Sequence, residues 1–290
     1  MAERVLVTGG AGFIGSHLCG ELLEQGREVL VLDNFNDFYD PSVKRMNIQS
    51  LQENPRFTLR EGDIRDSGLV GRIFKHFRPK AVVHLAAMAG VRPSLEDPLL
   101  YVDVNVMGTN VVLEAVRRNP VENFLFGSSS SVYGAMDRVP FSEGDVLSRP
   151  VSPYAATKLA GEQLCFTYHH LYGIPVSCLR FFTVYGPRQR PEMAIHLFAR
   201  RIREGKQVTV FGDGTSRRDY TYISDIVQGV LRSLDRPQPY EIFNLGESRT
   251  VPLADIVALL EENLGRKAGI RHEPDQPGDV PVTFADITKA

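Results

Sequence analysis

The stretch RVLVTGGAGFIGSHLCGELLEQGREVLVLD, Arg4–Asp33, switches hydrophobic period twice, and this constrains the fold more than any other part of the chain. Val5–Thr8 is a short apolar, β-branched run, as a strand buried on both faces should be. Ile14, Leu18, Leu22 and Leu23 then recur at helical spacing, and Gly26 ends that helix. Glu28–Leu32 is strand-like again. A strand, a helix and a strand in such close succession imply a parallel pair joined by a right-handed crossover.

The turn between the first strand and the helix carries Gly9, Gly10, Gly12 and Gly15. Glycines here permit a tight turn, let backbone N–H groups approach a pyrophosphate, and let the helix pack on the strand. Asp33 closes the second strand, close to the spacing expected of a ribose-binding carboxylate. A carboxylate there accepts from both adenosine ribose hydroxyls and repels a 2′-phosphate, which favours NAD over NADP. The plain alternative is a strand-end aspartate in the turn DNFND. Lys44 and Arg45 are close enough in sequence to fold over a 2′-phosphate, which argues the other way.

The alternation continues. Strand-like segments stand at 56–60, 80–87, 122–130 and 175–185, with helical segments at 68–77, 101–118 and 153–172 between them. This predicts an α/β fold, a Rossmann-like doubly wound parallel sheet. Ligands on such sheets bind beyond the carboxyl ends of the strands, where the glycine turn, Asp33, Asp63, LAA, the serines of FGSSSSVYG and TVYGP all fall. After Pro187 the texture changes. RQRPEMAIHLFARRIREGKQ reads as one basic amphipathic helix and RRDYTYISDIVQGVLRSL as a loop leading into a helix. The organisation expected is a dinucleotide-binding domain over 1–180 and about 216–246. A smaller interleaved lobe spans 181–215 and 247–290.

The segment SPYAATK places Tyr154 and Lys158 one helical turn apart, on the same face. Ser152 suits the N-cap and Pro153 the first helical position. A nearby ammonium favours the phenolate, which makes the tyrosine a usable base near neutral pH. The bland alternative is an aromatic residue at a helix start above a solvated lysine.

Composition narrows the function classes. A net charge of -2 suggests no nucleic-acid partner, and the basic helix is expected to be a solvated or anion-facing surface. Three scattered cysteines, Cys19, Cys165 and Cys178, fit a reducing cytoplasm. The seven histidines show no ligand spacing, so no metal is expected. The N-terminus does not read as a signal peptide, and no apolar run is expected to be long enough for a membrane span.

The glycine turn, the serine cluster and Tyr154-x-x-x-Lys158, in that order, resemble the extended short-chain dehydrogenase/reductase superfamily. AGVRPSLEDP, SSSSVYG, FFTVYGPRQRPEMA and RRDYTYISDIV are more specific and resemble the nucleotide-sugar 4-epimerases, above all those acting on UDP-glucuronate. The resemblance covers essentially the whole chain and implies NAD as a tightly held cofactor. It implies that Gly9, Gly12, Phe13, Ile14 and Gly15 cradle the pyrophosphate, with Asp33 and Asn34 at the ribose and Asp63 and Ile64 at the adenine. Leu85, Ala86, Ala87 and Ala89 would line the nicotinamide end, with Asn105 buried nearby. For Asn105 the alternative is an amide tying two helices together.

The same resemblance implies that Tyr154 is the acid/base and that Lys158 holds the nicotinamide ribose. Ser129 and Ser131 would hold the sugar hydroxyl, unless the serine run is a turn with no ligand. Arg218 would meet a diphosphate, while Thr183 and Arg190 would meet a sugar carboxylate. The alternative is that Arg188 and Arg190 are surface or nucleotide-contacting arginines. A dehydratase or a decarboxylase would need a carboxylate where Ser129, Ser130 and Ser131 stand. UDP-glucose 4-epimerisation, a reductase that releases its cofactor and a non-catalytic NAD-bound scaffold are the rival readings. A homodimer through the 99–118 and 154–172 helices is implied too. Relatives usually continue past FADITKA, so the small lobe is expected to be incomplete.

Overall fold

A computed structural model describes residues 3–136 and 138–290. The first half runs β1 (Arg4–Thr8), α1 (Phe13–Glu24), β2 (Glu28–Asp33), α2 (Pro41–Ile48), β3 (Phe57–Glu61), α3 (Ser67–Phe77), β4 (Ala81–His84) and α4 (Val91–Glu96). Next come α5 (Pro98–Val102), α6 (Thr109–Arg118), β5 (Asn123–Ser129), α7 (Pro153–Tyr172), β6 (Val176–Phe181) and β7 (Thr183–Tyr185). The remainder is α8 (Ala194–Glu204), β8 (Val208–Phe211), β9 (Arg217–Tyr222), α9 (Ile223–Asp235), β10 (Tyr240–Leu245), β11 (Thr250–Pro252), α10 (Leu253–Leu264) and β12 (Ile270–Glu273).

Seven strands form one sheet in the order β10–β6–β5–β4–β1–β2–β3. Every pairing in it is parallel, as the crossover helices require. Both faces are covered. Leu6, Leu30, Val82, Phe124 and Phe126 pack with residues of α3, α6 and α7 on one side. Their neighbours Val5, Val7, Val31, Val83 and Leu125 pack with α1 and α9 on the other. Strand alternation thus feeds two cores at once, and this is why the strands read as continuous apolar runs. The order reverses at β1, between β2 and β4, which opens the crevice where such sheets bind ligands.

The smaller elements depart from expectation in instructive ways. The basic helix begins only at Ala194. Pro191 biases the residue before it away from helical backbone, and Met193 is extended at the helix start. The segment expected as a loop after Ser216 is strand β9, which joins β7 and β11 in a three-stranded sheet. Its buried positions, Asp219 and Thr221, are polar, so no hydrophobic alternation advertised it. The expected strand over 175–185 breaks at Phe182: β6 stays in the main sheet and β7 leaves it.

Pro98–Arg118 is one 21-residue helix in which a π-type turn, Asp103–Gly108, separates α5 from α6. By length and composition it is apolar enough to cross a membrane, against the expectation that no segment would be. Half of its most apolar stretch is buried within the protein, where Tyr101, Val104, Val112, Leu113 and Val116 join the core.

Helix α7 lies close on the sheet because Gly161 faces Phe126. A methyl group at Gly161 would stand 2.3 Å from the Phe126 ring. Gly161→Ala gains up to about 1 kcal/mol of helix propensity. Overpacking a rigid buried ring costs roughly 1–3 kcal/mol. Net destabilisation is therefore expected, read as a lower urea midpoint. An unchanged or higher midpoint would show that α7 can lift without strain.

Candidate active site

A cavity of about 380 Å³ opens at the carboxyl ends of β1, β2, β4 and β5. Gly9, Gly12, Phe13, Ile14, Gly15, Asp33, Asn34, Asp63, Ile64, Leu85, Ala86, Ala87 and Ala89 all line it, as expected. Gly9 has φ 71° and lies so close to the β4 side that a Cβ would stand 2.7 Å from the Ala86 nitrogen. At Gly15 a Cβ would reach the Gly9 carbonyl at 2.4 Å. Helix α1 starts at Gly12 with no side-chain cap, so its first-turn N–H groups lack such a partner and favour an anion. The cradle fits a pyrophosphate.

Asp33 is buried. Its Oδ2 accepts from the Ala11 N–H at 3.0 Å and its Oδ1 from the Phe35 N–H at 2.9 Å. Burial raises its pKa, against those two hydrogen bonds and the charge of Lys44. Of the two basic residues that raised the question of NADP, Lys44 lines the cavity and Arg45 does not, and both already have partners. Lys44 Nζ donates to the Asn36 carbonyl and side chain at 2.8 and 2.6 Å. Arg45 donates to both Glu61 oxygens at 3.0 and 3.1 Å and lies over the Phe35 ring. The residues fit NAD. Asp63 accepts from Asn34 Nδ2 at 3.1 Å and pairs with Arg65 at 2.7 Å, which holds its carboxyl down at about 2.

Tyr154, Lys158, Ser129 and Ser131 line the same cavity. Ser152 caps α7 as expected, accepting from the Ala155 N–H at 3.1 Å. Ser129 Oγ lies 3.2 Å from Ser131 Oγ. Lys158 Nζ donates to the Gly127 carbonyl at 2.6 Å and lies 6.0 Å from the Tyr154 ring centre. Burial drops the Lys158 pKa from 10.5 to about 8. For Tyr154 the outcome differs from the sequence expectation. Burial raises its pKa, and the groups that pull it down are Ser129 and Arg190. Tyr154 is half-buried at the cavity wall, and the chain alone does not make its phenol acidic.

Asn105 is buried behind the cavity wall, bonded to the cavity-lining Met88. It does not line the cavity. Its Oδ1 accepts from the Met88 N–H at 2.8 Å, and its Nδ2 donates to the Met88 carbonyl at 2.9 Å and to Thr157 Oγ1 at 3.0 Å. It straps the loop after β4 to α7. Thr157 in turn donates to the Tyr154 carbonyl at 2.8 Å. A second relay reaches the same strap. Thr109 Oγ1 donates to the Asn105 carbonyl at 2.5 Å, so its only proton is used. It must therefore accept from His84 Nε2, 3.0 Å away. His84 Nδ1 then accepts from Thr8 Oγ1 at 2.7 Å, and Thr8 accepts from the Ala86 N–H at 3.2 Å. His84 is neutral, since burial pushes its pKa down to about 3. In the sequence it stands only within the strand-like run 80–87, with no role expected of it.

A second cavity, about 790 Å³, adjoins the first; Gly90, Val91, Thr183, Arg190 and Met193 line both. Arg218 faces it, and its Nη1 donates to the Arg217 and Pro281 carbonyls at 2.9 and 3.2 Å. Burial lowers its pKa. Arg190 pairs with Glu192 at 3.0 Å and lies over the Phe38 ring. Arg188 separates from it, donating to Ser16 Oγ of α1 at 3.3 Å from a left-handed backbone with φ 63°. Sequence reasoning missed Arg92, which pairs with Asp279 at 2.6 Å and lies 4.1 Å from the centre of the Phe211 ring across this cavity. It stands in AGVRPSLEDP, so the segment was noticed and the residue was not. Among the described residues no cluster of potential metal ligands occurs.

Residues 5–246 match the NAD dependent epimerase/dehydratase family. The chain is 44% identical to UDP-glucuronate 4-epimerase of Thermodesulfobacterium geofontis, over 98% of its own length and 88% of that protein. It is 45% identical to UDP-glucuronate 4-epimerase 4 of Arabidopsis thaliana, over 99% of its length and 69% of that protein. It superposes with a TM-score of 0.93 on the crystal structure of UDP-glucuronic acid 4-epimerase from Bacillus cereus in complex with UDP-glucuronic acid and NAD. That protein is 41% identical, with 99% of this chain and 91% of that one covered. The glycine cradle, the engaged Asp33 and the tyrosine–lysine pair on the cavity wall thus stand in a chain that belongs to the NAD dependent epimerase/dehydratase family.

Proposed function

We propose that this protein is a UDP-sugar 4-epimerase that interconverts UDP-glucuronate and UDP-galacturonate. The observation that carries the proposal is Arg190, which lines both cavities within reach of the tyrosine–lysine site. When bound, NAD supplies a reversible two-electron acceptor. Gly9, Gly12, Phe13, Ile14 and Gly15 hold its pyrophosphate, Asp33 and Asn34 its ribose, and Asp63 and Ile64 its adenine. Leu85, Ala86, Ala87 and Ala89 face its nicotinamide end. Residues 1–180 and about 216–246 form its domain, in keeping with α9 and β10 packing into the central body.

Tyr154 removes the proton of the sugar's 4-hydroxyl and returns it after the ring has turned over. Ser129 and Ser131 hold that hydroxyl, and Lys158 holds the nicotinamide ribose. Inversion at carbon 4 needs both faces of the ring in turn, so the sugar is gripped weakly. Affinity comes from the nucleotide, held by the lobe of residues 181–215 and 247–290 with Arg218 at the diphosphate. Arg190 and Thr183 meet the uronate carboxylate, since a buried carboxylate needs a charge-assisted partner. The second reading, a neutral UDP-glucose substrate, draws on one observation: Arg190 already has a carboxylate partner in Glu192.

A homodimer and a cytoplasmic setting complete the proposal. Leu99, Val102 and Met107 are exposed on the Pro98–Arg118 helix, as are Phe166, Leu171 and Tyr172 on α7. Apolar side chains so concentrated on two adjacent helices suit a self-complementary contact. The three free, buried thiols suit a reducing compartment.

Tyr154→Phe is expected to lower turnover by roughly 10²–10⁴-fold while fold and NAD content persist. Near-normal turnover would remove Tyr154 from the proton path. Lys158→Met has a two-sided expectation. The folded pKa is depressed, so at pH 7 the buried charge costs stability in full, and that cost fades as pH rises from about 8 to 10.5. The variant should lose turnover yet show a higher urea midpoint at pH 7 without NAD. A fall in that midpoint would show that the bond to Gly127 outweighs the burial cost.

Arg190→Ala should reduce kcat/KM for UDP-glucuronate about 10–100-fold, the equivalent of a charge-assisted bond of roughly 1.5–3 kcal/mol. Turnover of UDP-glucose should be spared. The 4-keto uronate is a β-keto acid, so the variant should also release some UDP-pentose by decarboxylation. Wild-type protein that epimerises UDP-glucose and ignores UDP-glucuronate would hand the assignment to the neutral-sugar reading.

A further inference from the structure

Helix α7 presents a third side chain in step with Tyr154 and Lys158. Glu162 lies one further turn along the same face. The three meet successive parts of one segment. Tyr154 and Ser129 line the cavity together, Lys158 binds the Gly127 carbonyl, and Glu162 Oε1 accepts from Ser128 Oγ at 2.5 Å. Glu162 and Arg180 are almost wholly buried, at 1% and 3% side-chain exposure. Arg180 donates from Nε to Glu162 Oε1 at 2.9 Å and from Nη2 to Oε2 at 2.7 Å.

The sheet register explains the meeting. Ser128, Arg180 and Asn244 are direct neighbours on β5, β6 and β10 and so share one face. Arg180 Nη1 also donates to the Tyr133 hydroxyl at 2.9 Å, and Tyr133 donates to Asn244 Oδ1 at 2.6 Å. The serine segment is thus held at Gly127, Ser128 and Tyr133. Ser129 and Ser131 lie between those anchors. A buried ion pair is weak evidence for stability, since apolar replacements often serve as well. Its contacts here instead fix one loop to one helix.

We infer that Glu162, charge-balanced by Arg180, is a positioning residue that fixes the serine segment against α7 and so sets the Ser129 hydroxyl beside Tyr154. The inference rests on Tyr154 as the proton carrier. Retained turnover in Tyr154→Phe would sink that reading by itself, whatever Glu162 does.

The test uses the NAD-loaded protein and whichever UDP-sugar the wild type turns over. The double variant Glu162→Leu/Arg180→Met removes both charges together and leaves neither unpaired. It should fold and keep its NAD content and its KM. Its kcat should fall by about 10²-fold, as loosened positioning implies. The limb of the pH–rate profile set by Tyr154 should move to higher pH, because Ser129 no longer pulls its pKa down. The other groups facing Tyr154 are Arg190, Tyr101 and Lys158, and all three are retained. Ser128→Ala, with the ion pair intact, should lower kcat less and shift the limb in the same direction. If the double variant does not fold, Ser128→Ala decides alone. A folded variant of either kind with wild-type kcat and an unmoved limb would overturn the inference and leave the pair as a fold element only.

Discussion

Lys158 sits inside the protein with one acceptor among the described residues, the Gly127 carbonyl. An ammonium has three protons to share, so two remain for whatever occupies the cavity. This is an expensive arrangement for folding and a useful one for binding. The contrast is Glu162, whose two oxygens receive three hydrogen bonds from Arg180 and Ser128. Behind the site, charge is matched within the chain. At the site, it is left short of partners. That division tells a buried charge that holds the site's frame from one left open to a ligand, and α7 carries both kinds one turn apart.

The two ends of the site differ in the same way. Around the cofactor end, backbone and side chains are tied by directional bonds. Ala86, Thr8, His84, Thr109, Asn105 and Thr157 form a chain in which each proton has one place to go. Such a chain holds the loop after β4 and the first turn of α7 in one geometry. Around the substrate end the contacts are ion pairs and rings at partial exposure: Arg190 with Glu192, and Arg92 with Asp279 over Phe211. Partly exposed pairs are weak and exchange partners readily. A rigid cofactor wall facing a compliant sugar wall is what inversion at one carbon requires, since only the sugar has to turn.

Much of this was legible in the sequence where the physics is local. The glycine turn, the apolar strands and the Ser152 cap each follow from a few consecutive residues, and each stands as read. The misses share a cause. Strand β9 buries Asp219 and Thr221, whose polarity hides its alternation; the Asp219 carboxylate is satisfied by N–H groups of Glu247 and Ala285, far along the chain. The Glu162–Arg180 pair needs the register of β5, β6 and β10, which no local pattern encodes. Asn105 was expected to be buried near the cofactor end, but its partners lie on another loop and another helix. The setting of Tyr154 is likewise beyond local spacing: in the chain by itself, the lysine one turn away turns its ammonium to the Gly127 carbonyl instead of to the phenol.

The Arg190–Glu192 pair bears on the substrate question less than it first suggests. A guanidinium that lined a cavity with no counter-ion would carry its full desolvation cost whenever the site was empty. Glu192 relieves that cost while keeping 40% of its side chain in solvent, so releasing it exposes a carboxylate that water already reaches. On the proposed assignment, a uronate arriving at Arg190 exchanges one carboxylate for another at little change in local charge. A neutral hexose leaves the pair as it stands. The same geometry suits both sugars in the resting protein, and the discrimination lies in what each does to it. With Arg190 as the proposed carboxylate partner, only the uronate gains a fork-shaped contact, and only the uronate needs one, because its 4-keto form loses carbon dioxide when that group is free to rotate.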